Sequence, residues 1–100
     1  MKSISYQPPI SEGHLPFRSW HPTTQLAPGV RGYSYRRGKE IVIPLIVAEI
    51  EASGDVGRFL DSLAYCCVIT TVTSSRLRGM LMRRGFTMQE VKGIDEWRRK

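Results

Sequence analysis

One hundred residues bound this chain to a single small domain with one modest core. Fifteen Lys and Arg against nine Asp and Glu leave a net charge of +6, which favours anionic partners such as nucleic acid, a nucleotide-bearing cofactor or an acidic protein surface. Apolar residues make up 41%, enough for a folded domain, and no run approaches the roughly twenty apolar residues of a membrane span. A soluble, intracellular chain without a membrane partner is the expectation.

Residues 1 to 31 read differently from the rest. Five of the six prolines fall here, and no helical or strand period is sustained. Ile4, Tyr6, Ile10, Leu15, Phe17, Trp20 and Leu26 are scattered among them, and a disordered tail is poor in such residues. The segment is expected to be an extended arm, packed on its own domain or on a partner. Tyr6, Ile10, Phe17 and Trp20 are its candidate partner-binding residues, toward a protein partner or a second copy of the chain. His14 and His21 lie in the arm without a carboxylate or cysteine at ligand spacing, so no metal site is expected.

The domain proper is expected over residues 32–100. Tyr33 to Arg36 alternates, Arg37-Gly38-Lys39 turns the chain, and Ile41 to Ile50 is a β-branched run, which together predict a hairpin. Pro44 has no N–H for a ladder, so it predicts a bulge or an edge at that point. A glycine-bearing turn follows, and Val56, Phe59, Leu60 and Leu63 share a helical face, predicting a helix over Val56 to Leu63. Tyr65 to Val72 is β-rich. Cys66 and Cys67 would point to opposite faces of that strand and stay reduced.

Ser74 and Ser75 are good caps for a second helix, with Leu77, Met80 and Leu81 on its inner face and Gly85 at its left-handed stop. Phe86–Glu90 and Ile94–Arg98 then form a closing hairpin around Lys92-Gly93. The fold class is α/β (α+β): a mixed sheet with two short helices and an extended N-terminal arm.

This order, together with the helix ending Arg83-Arg84-Gly85-Phe86, resembles the C-terminal half of the GNAT acetyltransferase fold over about Ile41 to Trp97, and the small acetyltransferase-like proteins of tailed bacteriophages. In that family the turn after the long strand carries Q/R-x-x-G-x-G/A, whose amides hold the pyrophosphate of acetyl-CoA. The matching residues are Ala52 to Gly57. The resemblance implies cofactor contacts from Gly54, Val56, Gly57 and Arg58, although Ala52 and Asp55 depart from the pattern. A carboxylate facing a pyrophosphate is repulsive. Leu81 occupies the place of the family's tyrosine, the usual general acid, and cannot donate a proton. Glu49 or Glu51, at the end of the long strand, stands where some members place a base.

Three functions are therefore weighed. The first is a non-catalytic, degenerate acetyltransferase-like protein of phage type, a virion component or a binder of a host factor, located in the host cytoplasm or the virion and needing no cofactor. The second is a minimal acetyl-CoA-dependent N-acetyltransferase. The third is sequence-independent nucleic-acid binding. Arg36 and Arg37, interleaved with Tyr33 and Tyr35, and Arg76 and Arg83 on the second helix supply the cations for a protein or nucleic-acid contact.

Overall fold

The computed structural model describes residues 4–11 and 22–99. The chain runs β1 (Thr24–Ala27), β2 (Val30–Arg37), β3 (Glu40–Ala48), α1 (Asp55–Ser62), β4 (Cys67–Thr70), α2 (Ser75–Arg83), β5 (Phe86–Val91) and β6 (Ile94–Arg99). The strands form one six-stranded mixed sheet in the order β1-β2-β3-β4-β6-β5. Among the described strands only β3 and β4 pair in parallel, and α1 connects them. No described helix is long and apolar enough to cross a membrane.

Side-chain alternation sorts the sheet into two faces. Ile41 and Ile43 of β3, Cys67 and Ile69 of β4 and Trp97 of β6 meet Phe59, Leu60 and Leu63 of the α1 segment and Leu81 of α2 in one buried cluster. Both helices thus cover the same face. Val42 and Val68, one residue out of phase, are buried on the other. Cys66 and Cys67 are free thiols, and burial, with Cys66 beside it, pushes the Cys67 thiol up to about 12.

Turn chemistry follows the sequence. Gly38 (φ 62) turns β2 into β3, and Lys92 and Gly93 (φ 53 and 80) turn β5 into β6. The Ser74 hydroxyl accepts from the Leu77 amide at 3.2 Å, capping α2, and Gly85 takes φ 82 just beyond the helix. Residues Tyr65 and Cys66, expected in the third strand, precede it instead, because Ala64 to Cys67 closes as a turn through the Cys67 amide and the Ala64 carbonyl.

Pro44 sits in a β-bulge. Tyr33 pairs with Leu45 and Tyr35 with Val42, so Ser34 alone opposes both Ile43 and Pro44. The pairing of β3 with β4 covers only Ile41–Ile43 against Cys67–Ile69. Beyond the bulge, Leu45 to Ala48 stay on β2 and part from β4. Thr71 follows β4 with φ 60, a conformation seldom adopted by a β-branched residue, and takes the chain out of the sheet there.

The division expected at residue 31 is displaced. Thr24–Ala27 and Val30-Arg31 belong to the sheet, with Leu26 fully buried in the main cluster. Residues 4–11 also pack on the domain. Tyr6 forms a bridge with Leu63, its hydroxyl donates to the Leu26 carbonyl, and its ring meets Phe59 edge-on at 6.3 Å. Ile10 packs against the core, and Ser11 exchanges bonds with Ser34 at the rim of β2. Tyr6 and Ile10, expected to hold a partner, thus make contacts within the chain, although Tyr6 stays exposed and Ile10 is only half-buried. Phe17 and Trp20, with His14 and His21, lie outside the described residues.

Candidate functional site

The divergence of β3 from β4 opens a cleft of about 390 Å³ on the helix-bearing side of the sheet's middle. Ile46 and Ala48 of β3 form one wall, and Leu77 and Met80 of α2 form the other. The segment from Glu51 to Gly57 closes its mouth, with Arg76 facing it from the first turn of α2. A smaller recess of about 90 Å³ adjoins it at the bulge, where Pro44 meets Thr70, Thr71 and Thr73. Ile46, Ser74 and Leu77 line both spaces.

The start of α1 contributes donors to the mouth. Gly54 caps the helix in the left-handed region (φ 84) and has no side chain with which to bond the first turn. The first intrahelical bond runs from the Arg58 amide to the Gly54 carbonyl at 3.1 Å. The amides of Val56 and Gly57 precede it, so neither has an acceptor within the helix. Both residues line the cleft.

Asp55 does not line it. Its carboxylate accepts from the Ser53 hydroxyl at 2.8 Å and pairs with Arg58. It lies against Gly29, in the space that a β-carbon there would fill. The Ser53 bond, then Arg58, holds this carboxyl below its ordinary range, so it stays ionised beside its partners. The repulsion expected of Asp55 is therefore directed away from the mouth. Arg58, expected to grip a cofactor, is committed to Asp55 and is not on the cleft wall. Among the described residues, Arg76 is the cation that lines it.

Gly57 serves the helix pair as well as the cleft. A β-carbon there would stand 2.7 Å from the Arg84 Nη2, and Arg84 is fixed by Asp61 at 2.9 Å. Gly54, Val56, Gly57 and Glu51 all line the cleft, whereas Glu49 is turned to Arg31 at 3.7 Å and lies off the wall. Leu81, which the resemblance sets in place of a tyrosine, is fully buried in the core.

The remaining cations divide. Arg36 is exposed on β2, and Arg83 is exposed on α2, near the end of that helix. Arg37 bonds Glu96 at 3.0 Å and Glu40 at 2.9 Å, and Arg98 bridges the same two carboxylates. The hydrogen bond from Arg37 holds the buried Glu96 carboxyl below its ordinary range, and Glu96, then Glu40, raises Arg37. Arg37, expected in a nucleic-acid surface, belongs to this closed network. Nothing local in the sequence marks it: Arg37 and Glu96 meet only through the strand order.

No known family model, curated protein or solved structure matches the chain.

Proposed function

We propose that the chain is a truncated GNAT-like protein whose cleft binds acetyl-CoA. The observation that carries this reading is the stretch of β3 beyond Pro44. Among the described residues, Leu45 to Ala48 keep β2 on one side and have no strand on the other. Backbone donors and acceptors on that free side face a narrow apolar space, which suits a slender ligand that carries its own amides. The pantetheine arm of acetyl-CoA has that form, and the amides of Val56 and Gly57 with Arg76 suit its pyrophosphate. Asp55, seated on Gly29, leaves that end of the cleft free of its charge.

Acetyl-CoA supplies an activated acetyl thioester. Glu51 is the wall carboxylate able to take a proton from an incoming amine, and the Ser74 hydroxyl adjoins the deeper recess. Positioning then carries most of the rate, since Leu81 offers no acid. A second reading rests on that same leucine: a non-catalytic acetyltransferase-like protein of phage type, in the host cytoplasm or the virion, that uses the scaffold to hold a protein partner.

Isothermal titration with acetyl-CoA and CoA at low ionic strength tests the first reading. Micromolar binding is expected, weakened about tenfold or more in Arg76→Glu through lost charge-assisted bonds. No heat and no thermal shift with the folded chain would overturn it and leave the second. Binding without release of free CoA in the presence of amines would separate a binding protein from an enzyme.

A further inference from the structure

The two edges of the sheet are protected unequally. The β1 edge is four residues long and bulged between Gln25 and Ala27, and Ser11 bonds Thr24 beside it at 2.7 Å. The β5 edge runs six residues in unbroken register with β6, and Thr87 through Val91 are all exposed. Phe86 to Val91 contains no proline, lysine or bulge, the usual devices that blunt an edge.

Backbone phase fixes what this edge offers. Val91 and Ile94 flank a two-residue turn with positive φ at both positions, so they form a hydrogen-bonded pair. Alternation makes Gln89 with Glu96 and Thr87 with Arg98 the other bonded pairs. The N–H and C=O groups of Phe86, Met88 and Glu90 therefore point away from β6.

Charge is polarised along the same hairpin. Glu90 lies directly across from Asp95, a repulsive arrangement of like charges. At the opposite end Phe86 lies across from Arg99, whose guanidinium sits 4.6 Å above the Phe86 ring.

We propose that β5 pairs with β5 of a second copy, antiparallel about a twofold axis at Met88, joining two sheets into one. In that register Met88 opposes Met88, and Phe86 opposes Glu90 in both directions. Each of these pairs exchanges two backbone bonds, so every outward group from Phe86 to Glu90 is satisfied. The acidic row of Asp95 and Glu90 in one copy continues into the row of Phe86 and Arg99 in the other. Met88, 50% exposed in the single chain, is covered at the axis. The pairing is self-complementary, as a twofold interface requires. It does not depend on what the cleft binds.

Sedimentation equilibrium of the full chain, from micromolar to millimolar, tests this. A species of twice 11.4 kDa is expected, with the amides of Met88 and Glu90 gaining protection from hydrogen exchange as it forms. Met88→Lys sets two like charges against each other at the axis and should raise the dissociation constant about tenfold or more. Met88→Pro removes an outward N–H while leaving the β5–β6 ladder intact, and should do the same with Gln89 and Val91 still protected. A folded chain that stays at 11.4 kDa throughout would overturn the proposal. So would a dimer that both variants leave unchanged, or one in which Met88 and Glu90 exchange as fast as in the monomer. Capture of a foreign strand on β5 by a chain that never self-associates would overturn it equally.

Discussion

The two helices begin at the same cleft in opposite ways. α2 starts on Ser74, whose hydroxyl takes up the Leu77 amide, so part of its first turn is satisfied before any ligand arrives. α1 starts on Gly54, which has no side chain to offer, and its nearest carboxylate is drawn aside to Gly29 and Arg58. One start is capped by its own serine; at the other the Asp55 amide reaches the Ser53 hydroxyl at 3.4 Å, while the amides of Val56 and Gly57, two residues that line the cleft, have no acceptor within the helix. The difference shows that a weak cap is informative when it faces a cavity, since the missing bonds are available to something else.

Substitutions at the two caps break this comparison by different amounts. Gly54→Ala places a β-carbon on a left-handed backbone, and a loss of about 1–2 kcal/mol in chemical denaturation is expected. Ser74→Ala removes one side-chain cap and should cost about 1 kcal/mol in the same assay. A Gly54→Ala protein as stable as the parent would mean that α1 can start without the left-handed turn.

Acid sharpens the comparison least. Asp55 and Glu96 both have folded-state carboxyls below their ordinary values of 3.8 and 4.5. Between the unfolded and folded values the unfolded chain binds more protons, so their contribution is complete above the ordinary value and is lost as pH falls through the folded one. Thermal melts should be flat from pH 7 to about 5 on this account and decline below about 4.5, where the unfolded chain begins to take up protons at these carboxyls. Glu96→Gln should shrink that decline, because Glu96 is the more buried of the two.

Much of this fold was legible because its signals are local. Ser74 and Gly85 mark the ends of α2, Lys92-Gly93 marks the last hairpin, and Pro44 marks the bulge by lacking a donor. Boundaries slipped where tertiary contacts decide. Thr24–Ala27 lies between Pro22 and Pro28 and shows no clear period, yet β2 recruits it as a strand. Of the cleft, the glycine-bearing turn before a helix was legible. The orientation of Asp55 was not, because it depends on Gly29, a residue in another turn that enters no motif. Arg37 likewise reads as a free surface cation until the strand order brings Glu96 beside it.

The seat of Asp55 on Gly29 has a consequence for how such a chain drifts under mutation. The charge near the cleft mouth is governed from a turn that is not part of the cleft wall. A single methyl group gained at residue 29 would evict the carboxylate while every wall residue stayed the same. Two descendants of this sequence with identical clefts on paper would then differ in what those clefts attract, and residue 29 is where that history would be written.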